Sequence, residues 1–291
     1  MKRNKRAAFS LIELSIVIVI IGILISGIFQ GTKIIQKFKI STARNLTTNS
    51  PVASIKDLVL WLDSTSEDSF DEDEAVDGVT ISNWYDINPS SAAGNDAVNN
   101  SVTDSDHPIY QTKCLNGLPC VRFNGTGSWI DTTKTYGYTY KMTVFAVTVT
   151  PQITASDSDT ILAIGQSWGE GSFNLKKWNG LFYQLPGAGP SLVAGDTVSA
   201  GNYIHTIVDN DDTALSMYLN GESTKEYTSG LTSKYKDLEV FNIGSSRTSG
   251  TRTNFLDGKI CELIIFARAL NDEDRKSVEQ YLGQKWGIKL Q

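Results

Sequence analysis

Phe9-Ser-Leu-Ile-Glu-Leu-Ser-Ile-Val-Ile-Val-Ile-Ile-Gly-Ile-Leu-Ile-Ser-Gly-Ile-Phe29 is almost wholly apolar, with Glu13 as its only charge. About 21 residues at roughly 1.5 Å each reach about 32 Å, enough to cross the hydrocarbon core of a bilayer. The β-branched Ile/Val run leaves no polar face, which argues against the core helix of a soluble domain and for a spanning helix. Lys2, Arg3, Lys5 and Arg6 precede it and favour a cytoplasmic N-terminus. Lys33, Lys37 and Lys39 follow it and blunt that bias. A secretory signal would be cut after the apolar run at small residues. Ser26 and Gly27 supply them, so simple secretion stands as an alternative. Glu13 weighs against it, because a carboxylate inside an apolar helix is costly in lipid and marks a function.

Outward from this stretch, residues 32–46 keep a helical composition, with Ile34, Ile35 and Phe38 on one stripe and Lys33, Lys37, Lys39 and Arg44 among them. Thr47-Thr-Asn-Ser-Pro51 breaks the helix with turn chemistry and a proline. The chain therefore divides into a leader (1–8), an apolar helix with its extension (9–46), a linker (47–56) and a head (57–291). Gly27 and Gly31 form a GxxxG pair that permits close helix contact or is incidental.

The head reads as short strands separated by Gly, Asn, Asp and Ser. The clearest are 58–62, 120–123, 142–149, 160–164, 203–208, 215–219, 240–243 and 259–266, and Asn220-Gly221 marks a hairpin. Many short strands with frequent turns and no βαβ rhythm predict a mainly β fold, an antiparallel β-sandwich. A last helix follows, capped by Asn271, with Asp272-Glu273-Asp274 on its positive end and Gly287 closing it.

The formal charge is −6, and setting aside the four leader basics leaves 22 basic against 32 acidic residues. Such a head has no electrostatic reason to bind nucleic acid or an anionic bilayer. Three cysteines do not make a disulfide framework. Cys114 and Cys120 flank the Asn116-Gly117 turn, where either a local disulfide or two reduced thiols fit. Cys261 reads as a small core residue.

Ala8-Phe9-Ser10-Leu11-Ile12-Glu13-Leu14 resembles the signal of the type IV pilin and pseudopilin family. The resemblance covers about the first 35 residues. It implies cleavage between Ala8 and Phe9 by a prepilin peptidase, methylation of the Phe9 amine, and filament assembly with other pilin subunits. Glu13 would then face the amine of a neighbouring subunit, neutralising two groups that are each costly to bury. Ala8 stands where the family usually has glycine, and Gln30 where many members have proline.

Leu58-Val-Leu-Trp-Leu-Asp63, Val121-Arg-Phe-Asn-Gly125, Met217-Tyr-Leu-Asn-Gly221, Phe241-Asn-Ile-Gly244 and Asp257-Gly-Lys-Ile-Cys-Glu-Leu-Ile-Ile-Phe266 follow the order of concanavalin A-like, laminin G-like domains. Val278-Glu-Gln-Tyr-Leu-Gly-Gln-Lys-Trp-Gly287 is similar to the helical tail of bacterial members. The resemblance implies a jelly roll. It also allows a structural Ca²⁺, for which Asp63, Asp71, Asp73 and Asp77, or Asp209, Asp211 and Asp212, are candidate ligands. No cofactor is required. Trp168, Trp178 and Tyr183 are candidate glycan contacts, with core packing as the alternative for each.

Catalysis finds little support. Gly165-Gln-Ser167-Trp-Gly169 matches the nucleophile-elbow pattern, but Glu170-Gly171-Ser-Phe-Asn-Leu after it reads as a turn and a strand, not the required helix. Neither His107 nor His205 sits in a triad arrangement or supports a zinc site. The acidic run Glu67-Asp-Ser-Phe-Asp-Glu-Asp-Glu74 reads as a solvated loop and lacks the alternating carboxylates of a glycosidase strand.

Together these features predict a minor or tip subunit of a type IV-type pilus with a lectin-like adhesion head. It would sit in the inner membrane with its head in the periplasm, then on the cell surface, its ligand a surface glycan or protein. A pseudopilin of a secretion or DNA-uptake system, and a membrane-anchored carbohydrate-active enzyme, are the alternatives.

Overall fold

A computed structural model describes residues 11–90, 94–135, 141–151, 158–164, 173–178, 181–184, 192–194, 199–210, 214–228, 240–248 and 250–291. The chain forms two compact units, Met1–Thr42 and Ala43–Gln291.

The first helix, α1, runs unbroken over Leu11–Thr48. Over its apolar part the helix is long and greasy enough to span a membrane, with a mean hydropathy of 2.8 and none of that window buried by protein. Leu11, Leu14, Ile18, Ile23 and Ile28 are all more than half exposed. This surface is stable only against lipid or other apolar partners.

The second unit is built on antiparallel strands. In chain order they begin with β1 (Leu58–Asp63), β2 (Asn83–Trp84), β3 (Ala97–Val98), β4 (Ile109–Gln111), β5 (Cys120–Asn124) and β6 (Ile130–Thr132). Next come β7 (Lys141–Thr150), β8 (Ser158–Ile164), β9 (Phe173–Trp178), β10 (Leu181–Gln184), β11 (Leu192–Ala194) and β12 (Gly201–Asn210). The last are β13 (Leu215–Leu219), β14 (Glu222–Tyr227), β15 (Phe241–Ile243), β16 (Ser246–Thr248), β17 (Thr251–Thr253) and β18 (Asp257–Phe266).

One sheet has the order β14-β13-β12-β7-β18-β5-β4 with β1 also on β18, the other β11-β10-β9-β8-β15-β6-β3-β2, and β16–β17 form a separate hairpin. Strand β18 is the spine of the first sheet. It pairs with β7 along one edge, while β5 takes the start of its other edge and β1 the end. The core lies between the sheets: Leu60, Val144, Ala146, Leu263 and Ile265 from the first meet Ile130, Leu162, Leu175 and Ile243 from the second. Alternate residues along each strand supply this layer, as the two-residue period requires.

Strand β7 is buried along nearly its whole length. The second helix, α2 (Asp272–Trp286), packs against β12 of this sheet and reaches Glu262 of β18 with its side chains. The Asn271 side chain accepts from the Asp274 amide at 2.8 Å, and Gly287 ends the helix in the left-handed region at φ 67°. Val278, Tyr281, Leu282 and Trp286 form the buried face of α2.

Beneath α2, Asp63 lies directly opposite Glu262 across the β1–β18 pair. Both carboxylates meet the Lys285 ammonium, at 2.7 and 2.8 Å, with all three side chains fully buried. Trp61 Nε1, Trp286 Nε1 and the Tyr281 hydroxyl also donate to Glu262. The last turn of α1 joins this cluster, because Thr47 Oγ1 donates to Asp63 at 2.9 Å and accepts from Lys285 at 2.9 Å. Arg44 Nε donates to the Thr65 carbonyl at 2.7 Å, and its guanidinium pairs with Glu67. These contacts explain why the head unit begins at Ala43, inside the helix and ahead of the proline-bearing segment that reads as the linker.

Candidate functional site

Ala8, Phe9 and the leader lie outside the described residues. Glu13 stands in the first described turn of α1, among the exposed Leu11, Ile12, Leu14 and Ile16.

In the head, the second sheet turns a polar row away from the core. Ile130, Ile243, Leu162 and Leu175 form the inward row, so their neighbours Asp131, Asn242, Ala163 and Asn174 form the outward one. Asn242 and Asn174 are nevertheless buried, and the Asn174 side chain has no hydrogen-bond partner among the described residues.

The β16–β17 hairpin closes over one end of this row. Arg247 donates to Asn242 Oδ1 at 3.0 Å and to Asp131 at 2.8 Å. Arg252 donates to both oxygens of Asp131 and to Ser245 Oγ. Its guanidinium also stacks 3.3 Å from the centre of the half-buried Trp129 ring. Burial lowers the Arg252 pKa, and Asp131 acts to raise it. The result is a cluster of two guanidinium groups, the Asp131 carboxylate and the buried Asn242 amide, with the Trp129 ring under Arg252. Of this set, the partly exposed Arg247 guanidinium and the half-buried Trp129 are the groups an outside molecule can reach. The sequence reading missed the cluster because Trp129, Asp131, Asn242, Arg247 and Arg252 come from separate segments.

Of the aromatic candidates, Trp168 lies outside the described residues. Trp178 pairs through its backbone with Ser158, and Tyr183 with Leu175 and Val193, so both positions belong to the same sheet as the polar row. The motif 165–169 also lies outside the described residues. The next described element is strand β9, antiparallel to β8.

The candidate calcium ligands do not converge among the described residues. Asp63 is corrected outright, because the Lys285 ammonium and the Thr65 amide and hydroxyl occupy its carboxylate. Asp71 accepts from the Tyr85 hydroxyl. Asp77 accepts from the Thr112 amide and hydroxyl, which hold its carboxyl below the ordinary value. Asp73 is exposed, Asp209 is buried in β12, and Asp211 and Asp212 lie outside the described residues. Within the acidic run, Glu74 accepts from the Ser82 amide, so that loop is tied to its neighbours.

Neither alternative read for Cys114 and Cys120, a local bridge or two reduced thiols, is what forms. Cys120 is bonded to Cys261, 141 residues away, and Cys114 is free. The reason is strand register: Val121 faces Ile260 across the β5–β18 pair, which sets Cys120 beside Cys261. The Asn116-Gly117 turn forms as read, both residues at positive φ, and the Asn116 amide holds the Lys285 carbonyl. Each ring nitrogen of His107 faces a backbone carbonyl, and His205 Nε2 bonds to Thr148 Oγ1. Neither histidine is placed for catalysis.

The chain thus pairs an antiparallel β-sandwich with a helix long and apolar enough to cross a membrane. Residues 124–274, more than half of the chain, match the family described as the concanavalin A-like lectin/glucanases superfamily, and the chain belongs to it. Residues 3–29 match the prokaryotic N-terminal methylation motif, so the chain joins a type IV pilin-like N-terminus to a laminin G-like head.

No curated protein matches the chain. Among solved structures, the binding domain of Paraclostridial Mosquitocidal Protein 1 is 13% identical, with a TM-score of 0.52 over 79% of this chain and 55% of that one. Trypanosoma rangeli sialidase in complex with sialic acid is 18% identical, with a TM-score of 0.51 over 81% of this chain and 34% of that one. Botulinum neurotoxin type C is 11% identical, with a TM-score of 0.52 over 80% of this chain and 53% of that one. This chain thus spans about a third to a half of the length of these structures, and at such identities the likeness shows the fold alone.

Proposed function

We propose that the protein is a minor or tip subunit of a type IV-type surface filament, and that its head binds glycans. The observation that carries this reading is the presence in one chain of a methylation-motif helix with a single intramembrane carboxylate and a lectin-superfamily sandwich. Assembly runs through the helix: a prepilin peptidase cuts before Phe9, and Glu13 meets the freed amine of a neighbour. Before assembly the helix sits in the inner membrane with the head in the periplasm. A head of this bulk suits a subunit used sparingly or at the tip better than one repeated at high density.

The partly exposed Trp129 and Arg247 serve as the glycan contact surface. Two of the similar folds come from proteins linked to sugars by their own structures, a sialidase holding sialic acid and a neurotoxin that depends on two ganglioside molecules. The reading requires no cofactor. N-terminal sequencing of the protein from sheared surface filaments tests it. A start at methylated Phe9 is expected. An intact Met1, or a start beyond Ser26, rejects assembly.

A further inference from the structure

The chain has three cysteines, at positions 114, 120 and 261, and the fold gathers all of them. Their sulfurs lie within 4.8 Å of one another. Cys120 and Cys261 are bonded and fully buried, while Cys114 is a free, half-buried thiol. Cys114 opens the short loop that leads into β5, where its amide donates to the Leu118 carbonyl at 2.9 Å. A free thiol within reach of a disulfide is the arrangement that thiol–disulfide exchange requires.

We propose that Cys114, Cys120 and Cys261 form an internal thiol–disulfide exchange centre. Cys114 Sγ loses its proton and attacks one of the two bridged sulfurs, forming a new S–S bond. The Cys120–Cys261 bond breaks, and its electron pair leaves on the other sulfur, which takes up the proton. No oxidant or reductant is consumed. Cys114 is also the only one of the three sulfurs through which an outside thiol or disulfide can enter. The inference rests on sulfur placement alone and is independent of the proposed function.

Burial raises the Cys114 thiol pKa, and the nearby Lys259 ammonium opposes that shift. The nucleophile is the thiolate, so exchange should quicken about tenfold per pH unit while the thiol remains mostly protonated.

The test incubates the full-length protein at pH 7, 8 and 9 and quenches each sample in acid. The quenched samples are denatured at pH 4 and alkylated with N-ethylmaleimide, and the labelled cysteine is mapped by mass spectrometry. The expected result is label on Cys114 and on a second cysteine, the second fraction growing with time and pH at a rate independent of protein concentration. Label confined to a single cysteine at every time and pH overturns the proposal. A rate proportional to protein concentration also overturns it, because exchange would then run between chains. The Cys114→Ser variant should keep the Cys120–Cys261 bond and take no label, and label on that variant would show the bond to be incomplete without any exchange.

Discussion

The Lys285 ammonium sits 2.7 Å from the Asp63 carboxylate in a site from which water is excluded, with both side chains fully buried. Glu262 completes the group at 2.8 Å from the same ammonium. Two carboxylates thus share one cation, and burial pushes the Glu262 pKa up, with Lys285 pulling against it. Removing the cation strands two acids in a low-dielectric site. The substitution Lys285→Met should therefore cost about 3–5 kcal/mol. Glu262→Gln keeps one carboxylate for the ammonium and should cost less than half as much. Urea unfolding of the two variants side by side checks the order, and a reversal would mean that Glu262, not Asp63, carries the pairing.

His205 gives the head an acid limit. Its ring is buried in β12, and burial alone lowers its pKa from 6.5 to about 3. The unfolded chain binds a proton at this site below about pH 6.5, and the folded head does not until about pH 3. This contribution to stability is therefore flat above pH 6.5 and falls as pH drops through that window, by about 1.4 kcal/mol per unit. Unfolding midpoints at pH 7 and pH 5 should differ accordingly, and His205→Asn should flatten the difference. An unchanged pH profile in that variant would assign the acid sensitivity to other groups.

Glu13→Ala should leave the helix apolar enough to insert while lowering filament incorporation on the order of tenfold, the effect of losing a modest pairing energy. Immunoblots of membrane and sheared-filament fractions separate the two steps. Normal incorporation would remove the role assigned to Glu13.

Trp129→Ala removes the ring on which Arg252 stacks. It should lower stability by about 1–3 kcal/mol, through the lost stacking and the half-buried ring's packing, and weaken glycan-array binding by about tenfold or more. A fold-intact variant with undiminished glycan binding would move the contact surface away from this patch.

The local parts of the structure were legible in the sequence, and the convergent parts were not. Strand β13 has the span that the alternation in Leu215–Leu219 predicts, and β5, β7, β12 and β18 extend their predicted ranges by one or a few residues. Asn271 and Gly287 end α2 as their chemistry requires, because capping is decided within one turn. Strands β2 and β3 are two residues each and carry no periodicity to read. Nothing local in the sequence marks Lys285 as the centre of an ion-pair cluster. Its burial depends on Asp63 and Glu262, more than 200 and more than 20 residues away in sequence. Cys261 was read as a core residue for the same reason, since only the β5–β18 register reveals its neighbour. Trp129 gained significance only when the β16–β17 hairpin laid Arg252 over it.

Thr47 has a practical bearing on any soluble fragment made for binding studies. Cutting the chain at the proline turn, where the sequence suggests a natural joint, would discard the hydroxyl that bridges Asp63 and Lys285, together with the Arg44 guanidinium. The clipped product would expose an ionic knot designed to stay dry, and poor expression would then be mistaken for an unstable head. A fragment opening at or before Ala43 keeps the knot covered.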